Sequence, residues 1–230
     1  MSIQFQNYRV DDISRNLRRI GAWPLDVVAV GVTGAGKSTT LNALFQKTVA
    51  KEGDGVDPET MKVGDYSLND FFRIWDTPGL GDNPAQDRTH KQEIISLLHK
   101  TYSQRGMRYG WIDMALVILD GSSRDMGTTY KLISDILIPN IQKERILILI
   151  NQADIAIRGG RHWDYYSNTP DSALKSFLDD KADSVQRRIR ESVGINIIRP
   201  ICYSAKYGYN VRGVFDFIIN HMPSERRNIF

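Results

Sequence analysis

Residues 31–38, Gly31-Val-Thr-Gly-Ala-Gly36-Lys37-Ser38 (GVTGAGKS), decide the fold of this 230-residue chain. They match the pattern G-x-x-x-x-G-K-[ST] in full, between an apolar run, Leu25–Val30, and a helical pattern, Ser38–Phe45. In a strand–loop–helix context the glycines let successive backbone N–H groups turn toward phosphates, and the following helix presents its positive end. We therefore predict a phosphate site formed by Gly34, Ala35, Gly36, Lys37, Ser38 and Thr39. Lys37 is expected to reach the β- and γ-phosphates, and the Ser38 hydroxyl to ligate Mg²⁺.

Short apolar runs recur after the first one, and each ends in Gly, Asp, Asn or Ser. Near-continuous apolar strands of this kind are buried on both faces of a parallel sheet. We therefore expect an α/β fold, a doubly wound and mostly parallel six-stranded sheet with helices on both faces, in which 60–68 is one antiparallel strand. The other predicted strands are Phe71–Trp75, Ile112–Leu119, Arg145–Ile150 and Ile197–Tyr203, and the helices are Ser38–Phe45, His90–Tyr102, Thr128–Leu137, Pro170–Val193 (with Thr169 as its N-cap) and Val211–His221.

The N-terminal residues 1–22 stand outside this alternation of strands and helices, so we predict a helical extension over 1–22 and one domain over 23–230. Ile13, Leu17 and Ile20 lie on one helical face, beside three arginines. Two alternatives follow: a helix packed on the domain, or an element that docks on a partner or a membrane.

The composition is that of an ordinary soluble protein, with 41% hydrophobic and 25% charged residues. The net charge of +3, from 30 basic and 27 acidic residues, is too small to argue for nucleic-acid binding. The single cysteine, Cys202, excludes an intramolecular disulfide and is expected to be a packed thiol. With no signal peptide and no transmembrane segment in the sequence, we expect a cytoplasmic protein.

A second phosphate-related element is Trp75-Asp76-Thr77-Pro78-Gly79, at the end of another apolar run. Asp76 is expected to hold Mg²⁺, and the N–H of Gly79 to meet the γ-phosphate and move when it leaves. The polar segment 47–62 between the two elements is expected to close over the site through a threonine. We prefer Thr60 to Thr48 for this role in catalysis and in Mg²⁺ binding, because Thr60 directly precedes the predicted antiparallel strand.

A base-reading element follows the fourth apolar run, where Asn151-Gln152-Ala153-Asp154 is joined later by Ser204-Ala205-Lys206. A carboxylate at Asp154 would accept from the N1–H and the 2-amino group of guanine, whereas adenine offers the wrong pattern. Asn151 is expected to tie this loop to the phosphate loop. We expect Ser204 to support the base loop, the N–H of Ala205 to meet the guanine O6, and the Lys206 stem to cover one face of the base.

The ordered set GVTGAGKS, DTPG, NQAD and SAK resembles the Era-like G domains of the translation-factor-related (TRAFAC) P-loop GTPases, over about residues 25–222. A bacterial subgroup of Era-like GTP-binding proteins shares the wording "GVDPET…WDTPGLGD" and "NQAD". The resemblance implies GTP/GDP and Mg²⁺ as cofactors, bound through the residues named above. It leaves the protein effector or activator unknown, and ribosomal or other RNA enters by family analogy only.

The sequence departs from the family at three positions. Leu80 stands where a glutamine orients the attacking water, so fast hydrolysis must draw its catalytic group from elsewhere. The candidates are Arg73, Arg88 and Arg124, for each of which a solvated surface role is the alternative, or a group from a partner or a second copy of the chain. Gly34 stands where potassium-stimulated relatives carry asparagine, so we expect little stimulation by potassium. Gln152 replaces the usual lysine, and we expect weaker GTP affinity with unchanged specificity.

Two functions are compatible with these motifs. One is a switch that hydrolyses GTP slowly and changes conformation when the γ-phosphate leaves. The other is a septin-like assembly module, in which homodimerisation through the G domain matters more than turnover. An ATP-dependent kinase lacks support, because Asp154 argues for guanine. We expect the insertion 155–169 to expose Trp163, Tyr165 and Tyr166. Two alternatives follow: it packs over the following helix, or it forms a partner surface.

Overall fold

The computed structural model describes residues 5–46, 64–81, 83–159 and 161–229. Its centre is a six-stranded sheet of β1 (Leu25–Gly31), β2 (Gly64–Asn69), β3 (Phe72–Asp76), β6 (Met114–Asp120), β7 (Ile146–Asn151) and β10 (Ile201–Cys202). The strand order is β10-β7-β6-β1-β3-β2. Every neighbouring pair is parallel except β2 and β3, which are antiparallel. The expected fold, including its one reversed strand, is confirmed.

Helices cover both faces of this sheet and form two apolar cores. The core on one face receives Val27 and Ala29 of β1, and the core on the other receives Val28 and Val30, as alternation along a strand requires. The first core is closed by α1 (Val10–Ile20), α2 (Lys37–Phe45) and α6 (Val211–Asn220). The second is closed by α3 (Pro84–Leu98), α4 (Gly127–Lys131) and α5 (Ser172–Val193).

Several boundaries differ from the sequence expectations for local reasons. Helix α3 begins before His90, because the Asn83 side chain accepts from Ala85 N at 2.9 Å and Pro84 occupies the first helical position. Helix α5 is capped by Asp171, whose side chain accepts from Leu174 N at 2.8 Å, and not by Thr169. Helix α4 is α-helical only to Lys131 and continues as a π-helix over Leu132–Leu137.

The prediction that helix α3 ends at Tyr102 is wrong. The helix ends at Leu98, and the chain then forms a hairpin. Strand β4 (Thr101–Gln104) pairs antiparallel with β5 (Met107–Gly110). The two turn residues, Arg105 and Gly106, have φ of 52° and 77°, the left-handed conformation that two-residue hairpin turns use. A second small hairpin joins β8 (Trp163–Asp164) to β9 (Thr169–Pro170), and the last sheet strand is confined to Ile201–Cys202.

The N-terminal helix α1 packs on the domain. Ile13 and Leu17 are fully buried in the first core. The chain just before the helix is fixed to α6, where Tyr8 Oη and Arg9 Nη1 donate to Asp216 at 2.9 and 3.0 Å. These contacts favour the packed alternative, while a domain boundary at residue 22 remains a prediction. In the described part of the chain, no helix has the length and apolarity needed to span a membrane.

Candidate functional site

The phosphate loop connects β1 to α2, and its backbone approaches two neighbouring elements closely. Gly36 has φ 82°, and a Cβ there would lie 2.3 Å from Asn151 Nδ2, so only glycine fits. Lys37 is 7% exposed, and its Nζ donates to the carbonyl oxygens of Gly31 at 3.3 Å and Val32 at 3.1 Å. The ammonium group therefore lies over the loop, and Gly34, Ala35 and Thr39 lie on the loop or the first helical turn beside it.

A hydroxyl and a carboxylate meet where α2 begins and β3 ends. Ser38 Oγ donates to Asp76 Oδ2 at 3.2 Å, and Asp76 is 1% exposed at the end of β3. The β1–β3 register, which places Ala29 opposite Asp76, brings the two together. Hydroxyl and carboxylate oxygens are ligands that Mg²⁺ prefers, so Ser38 and Asp76 fit the predicted metal role. Thr60, the third predicted ligand, lies outside the described residues, as does the loop 47–62.

The segment after Asp76 runs against the phosphate loop. Leu80 N donates to Gly31 O at 3.2 Å, and Thr33 N donates to Leu80 O at 2.9 Å. A Cβ on Gly79 would lie 2.4 Å from Thr33 Oγ1, so the close approach requires glycine. Thr33 Oγ1 is buried and has no hydrogen-bond partner among the described residues, which is the state of a group that a bound phosphate oxygen would satisfy. Gly79 O also contacts His90 Nδ1 at 2.9 Å.

Leu80 is built into the second core, since its side chain is 1% exposed and packs with that cluster. It therefore points away from the phosphate loop, and the position is structural. Of the arginines considered as replacements, Arg73 is excluded by its contacts: its Nε and Nη2 donate to Asp26 at 2.6 and 2.9 Å, at the opposite end of the sheet. Arg88 is exposed on α3, and Arg124 is exposed after β6.

Asn151 joins the two predicted base-reading loops to the phosphate loop. Its Nδ2 donates to Ala35 O at 3.0 Å, and its Oδ1 accepts from Ala205 N at 3.0 Å. A single buried amide thus connects three segments that are distant in sequence. Ser204 Oγ donates to Asp154 Oδ1 at 2.6 Å, which fixes the carboxylate that we expect to meet guanine.

Gln152 and Lys206 lie at the edges of this arrangement. Gln152 has φ 60°, and its Nε2 donates to Gly34 O at 2.7 Å, a second connection between base loop and phosphate loop. Lys206 is exposed, and its Nζ lies 5.4 Å from the centre of the Tyr207 ring. The Lys206 ammonium therefore lies near the Tyr207 ring, in the loop that would support the base.

A buried tyrosine completes the site and was missed from the sequence. Tyr203 is fully buried, and its hydroxyl lies 2.7 Å from Thr40 Oγ1, which donates to Gly36 O at 2.7 Å. Burial raises the pKa of Tyr203. The carbonyl oxygen of Tyr203 also accepts a hydrogen bond from Ala153 N at 3.0 Å. No motif marks such a residue, because a tyrosine at the end of a strand is common and its partner is 163 residues away.

The insertion 155–169 is only partly exposed. Trp163 is 6% exposed and packs with Ala153, Ala156 and Leu174, so the expectation that it is exposed is wrong. The apolar side chains of Ala153, Ala156 and Leu174 cover the Trp163 indole and so bury it. Tyr165 and Tyr166 are exposed, at 64% and 100%.

Comparisons with known proteins place this geometry in a family. Residues 26–152 match a family model described as "50S ribosome-binding GTPase". No curated protein matches the chain. A solved structure described as "Dimerization is important for the GTPase activity of chloroplast translocon components atToc33 and psToc159" aligns with a TM-score of 0.69 and 15% identity, over 99% of this chain and 97% of that one.

Two further solved structures have the same fold. Toc33 from Arabidopsis thaliana, in complex with GDP and Mg²⁺, aligns with a TM-score of 0.64 and 16% identity, over 97% of this chain and 94% of that one. Era, in complex with MgGDPNP and nucleotides 1506–1542 of 16S ribosomal RNA, aligns with a TM-score of 0.61 and 17% identity. That match covers 90% of this chain and 59% of the Era chain, and at such identities the likeness shows the fold.

Proposed function

The chain belongs to the family of 50S ribosome-binding GTPases, with an Era-like G domain, and on that premise we propose that it binds GTP with Mg²⁺ and hydrolyses it to GDP and phosphate. The observation that carries the proposal is the bridge made by Asn151. Its contacts to Ala35 and Ala205 bring the phosphate loop and the predicted base-reading loop together in one site. A site of this composition suits a guanine nucleoside triphosphate.

Each side chain has a separate task in this proposal. Lys37 and the inward N–H groups of the loop bind the β- and γ-phosphates, and Asp154, held by Ser204, reads guanine. Ser38 and Asp76 would hold Mg²⁺, which neutralises charge on the transferred phosphoryl group. The Gly79 N–H is proposed to contact the γ-phosphate. Loss of that phosphate would change the position of the Gly79 segment relative to the phosphate loop, because the Gly79 backbone packs directly on Thr33.

Turnover is expected to be slow in the isolated chain. Leu80 is buried in the core, so no glutamine positions the attacking water at that place. Among the described residues, the candidate arginines Arg88 and Arg124 are exposed and could supply the catalytic group. A second molecule could supply it instead. The physiological role would then be a switch whose rate is set by whatever supplies the catalytic group.

The base assignment is tested by Asp154→Asn. The amide oxygen still accepts from Ser204, so the loop should keep its structure, while the amide nitrogen opposes the guanine N1–H and 2-amino groups. We expect GDP affinity, measured by calorimetry, to fall about 100-fold, and affinity for xanthosine diphosphate to rise. Lys37→Ala is the companion variant and should lose affinity for both nucleotides.

The outcomes separate binding from folding. Thermal unfolding of each variant without nucleotide serves as the control, and we expect Asp154→Asn to unfold within a few degrees of the wild type. Unchanged GDP affinity in a folded Asp154→Asn protein would remove the base assignment. Equal competition by ATP against GTP in the wild type would contradict it as well.

The alternative is nucleotide-dependent assembly through the G domain. The observation that favours it is the similarity, over nearly the full length of both chains, to a chloroplast translocon component for whose GTPase activity dimerisation is important. Size-exclusion chromatography with GDP and with a non-hydrolysable GTP analogue decides between the two. A dimer formed only with the analogue supports assembly, and a monomer in both states contradicts it.

A further inference from the structure

Positive charge is concentrated in three segments, 14–23, 99–111 and 222–229. Together they hold eight of the 30 lysines and arginines, and one of the 27 acidic residues. In the rest of the chain, acidic residues outnumber basic ones, so the modest net charge of +3 conceals a strong local asymmetry. We call the surface that these three segments form together the hairpin face, since the β4–β5 hairpin is its middle part.

The fold brings the three segments into contact through the C-terminal residues. The C-terminal segment runs beside β5, where Gly110 N donates to Arg227 O at 2.7 Å and Ile229 N donates to Arg108 O at 3.2 Å. Arg226 then reaches the end of α1, where its Nε donates to Ile20 O at 3.0 Å. The last turn of α1, the hairpin and the C-terminal segment are therefore one continuous surface.

Three aromatic rings form a row on this surface, with Arg226 against the ring at one end. The Arg226 guanidinium lies 4.6 Å from the centre of the Tyr109 ring. Tyr109 in turn lies 5.7 Å from Tyr102, and Tyr102 lies 6.1 Å from Trp111. The three rings are half-buried, so each is fixed by its neighbours and still presents part of its surface to solvent. Fixed rings beside arginines are the surface on which nucleic-acid bases stack.

Among the residues that the structure describes, three exposed arginines of the hairpin face are not paired with a carboxylate. Within the described part of the chain, no carboxylate lies within ion-pair distance of Arg18, Arg105 or Arg108, all of which are exposed. Glu225 is the one exposed carboxylate of the three segments, and the acidic Asp26 and Asp113 at this end of the sheet are buried. A polyanion would therefore meet the guanidinium groups of Arg18, Arg105 and Arg108 without a competing ion pair.

We propose that the hairpin face binds the phosphate backbone of single-stranded RNA. Seven of the eight basic residues in these segments reach the surface, and Arg227 is buried. Six of the seven are arginines, whose planar guanidinium forms paired hydrogen bonds with phosphates and stacks on bases. An anionic membrane would be attracted by the arginines alone, without the fixed row of rings beside them. The face lies at the N-terminal ends of β1 and β6, whereas the phosphate loop lies at the C-terminal end of β1, so RNA and nucleotide can bind together.

The test uses the full chain and a fluorescein-labelled single-stranded RNA of about 16 nucleotides, with binding followed by anisotropy at several salt concentrations. The variant carries Arg18→Gln, Arg105→Gln and Arg108→Gln. The matched control carries Lys175→Gln, Arg187→Gln and Arg190→Gln, which removes three exposed charges from α5. We expect the variant to bind RNA at least ~10-fold more weakly, with the slope of log affinity against log salt reduced by about 2.

The control should bind RNA within about twofold of the wild type if the site is local rather than a general effect of charge. Equal weakening in the variant and the control would overturn the proposal, and so would unchanged binding in the variant. Vesicles of phosphatidylcholine and phosphatidylserine form the second arm. Tight vesicle binding by a wild type that does not bind RNA would assign the face to membranes instead.

The inference goes beyond GTP binding and does not depend on it. GDP affinity of the Arg18, Arg105 and Arg108 variant should equal that of the wild type, because these residues lie at the other end of the sheet. A protein that binds RNA but no guanine nucleotide would therefore contradict the proposed function and leave the hairpin face intact.

Discussion

At the scale of single residues, Gln152 shows how an altered motif can keep its task. Its amide donates to Gly34 O at 2.7 Å, so it connects the base loop to the phosphate loop without a charge. Its backbone has φ 60°, in the left-handed region. What glutamine lacks is the longer stem and the ammonium group that lysine would place along the base plane. The sequence alone indicated the loss of that stem, and the retained connection became visible only in the structure.

Two substitutions at Gln152 separate the hydrogen bond from the stem. Gln152→Leu removes the bond to Gly34, and we expect GDP affinity to fall about fivefold, the effect of roughly 1 kcal/mol. Gln152→Lys restores the stem, and we expect GDP affinity to rise severalfold with the preference for guanine over xanthine unchanged. Calorimetry with GDP and xanthosine diphosphate measures both. A Gln152→Lys protein that binds no tighter than the wild type would contradict the role given to the stem.

At the scale of elements, Tyr203 connects the segment after β10 to the first turn of α2. The hydroxyl pairs with Thr40 Oγ1 at 2.7 Å, and Thr40 Oγ1 donates to Gly36 O, so base support and phosphate loop share one buried chain of hydrogen bonds. Buried polar chains of this kind hold their members in one arrangement when every group is satisfied. We therefore assign Tyr203 a positioning role, since it acts on the nucleotide only through Gly36.

Removing the Tyr203 hydroxyl should weaken nucleotide binding more than it weakens the fold. We expect Tyr203→Phe to lower GDP affinity about threefold to tenfold, because Thr40 Oγ1 loses one partner and Gly36 one constraint. Thr40→Val should give a similar loss, and the double variant should lose no more than either alone. The measurement is GDP affinity for all three proteins, with thermal unfolding alongside. Additive losses would show that the two hydroxyls act independently.

The elements that the sequence predicted well are those with a strong local signal. The buried strands and α2 follow from continuous apolar runs and from the glycines of the phosphate loop. The boundaries that failed depend on single side chains: Asn83 extends α3, Asp171 rather than Thr169 caps α5, and the turn at Arg105 and Gly106 ends a helical pattern. Such effects of about 1 kcal/mol compete with periodicity and are hard to rank from sequence.

At the scale of the whole molecule, the end of the sheet opposite the phosphate loop is closed by buried charge. Asp113 Oδ2 accepts from Asp26 N at 2.9 Å across 87 residues, and Arg227 donates to Leu98 O across 129 residues. The sequence could not foresee these pairings, because each partner alone resembles a surface charge. Burial raises the pKa of Asp113 to about 7 from its ordinary 3.8, in spite of the opposing charges of Arg145 and Arg227.

The raised pKa of Asp113 gives the fold a dependence on pH. Between pH 3.8 and about 7 the native chain holds a proton on Asp113 that the unfolded chain has lost, so the free energy of unfolding falls as pH rises through this window. Asp113→Asn keeps an oxygen for Asp26 N and removes the titration. From about pH 5 to about pH 8, we expect urea unfolding of the wild type to lose on the order of 1 to 3 kcal/mol more than unfolding of the variant. Asp135→Asn, on the exposed side of the helical segment after α4, should follow the wild type. Parallel pH profiles for the wild type and Asp113→Asn would show that the buried carboxyl is ionised throughout, paired with the arginines that close this end of the sheet.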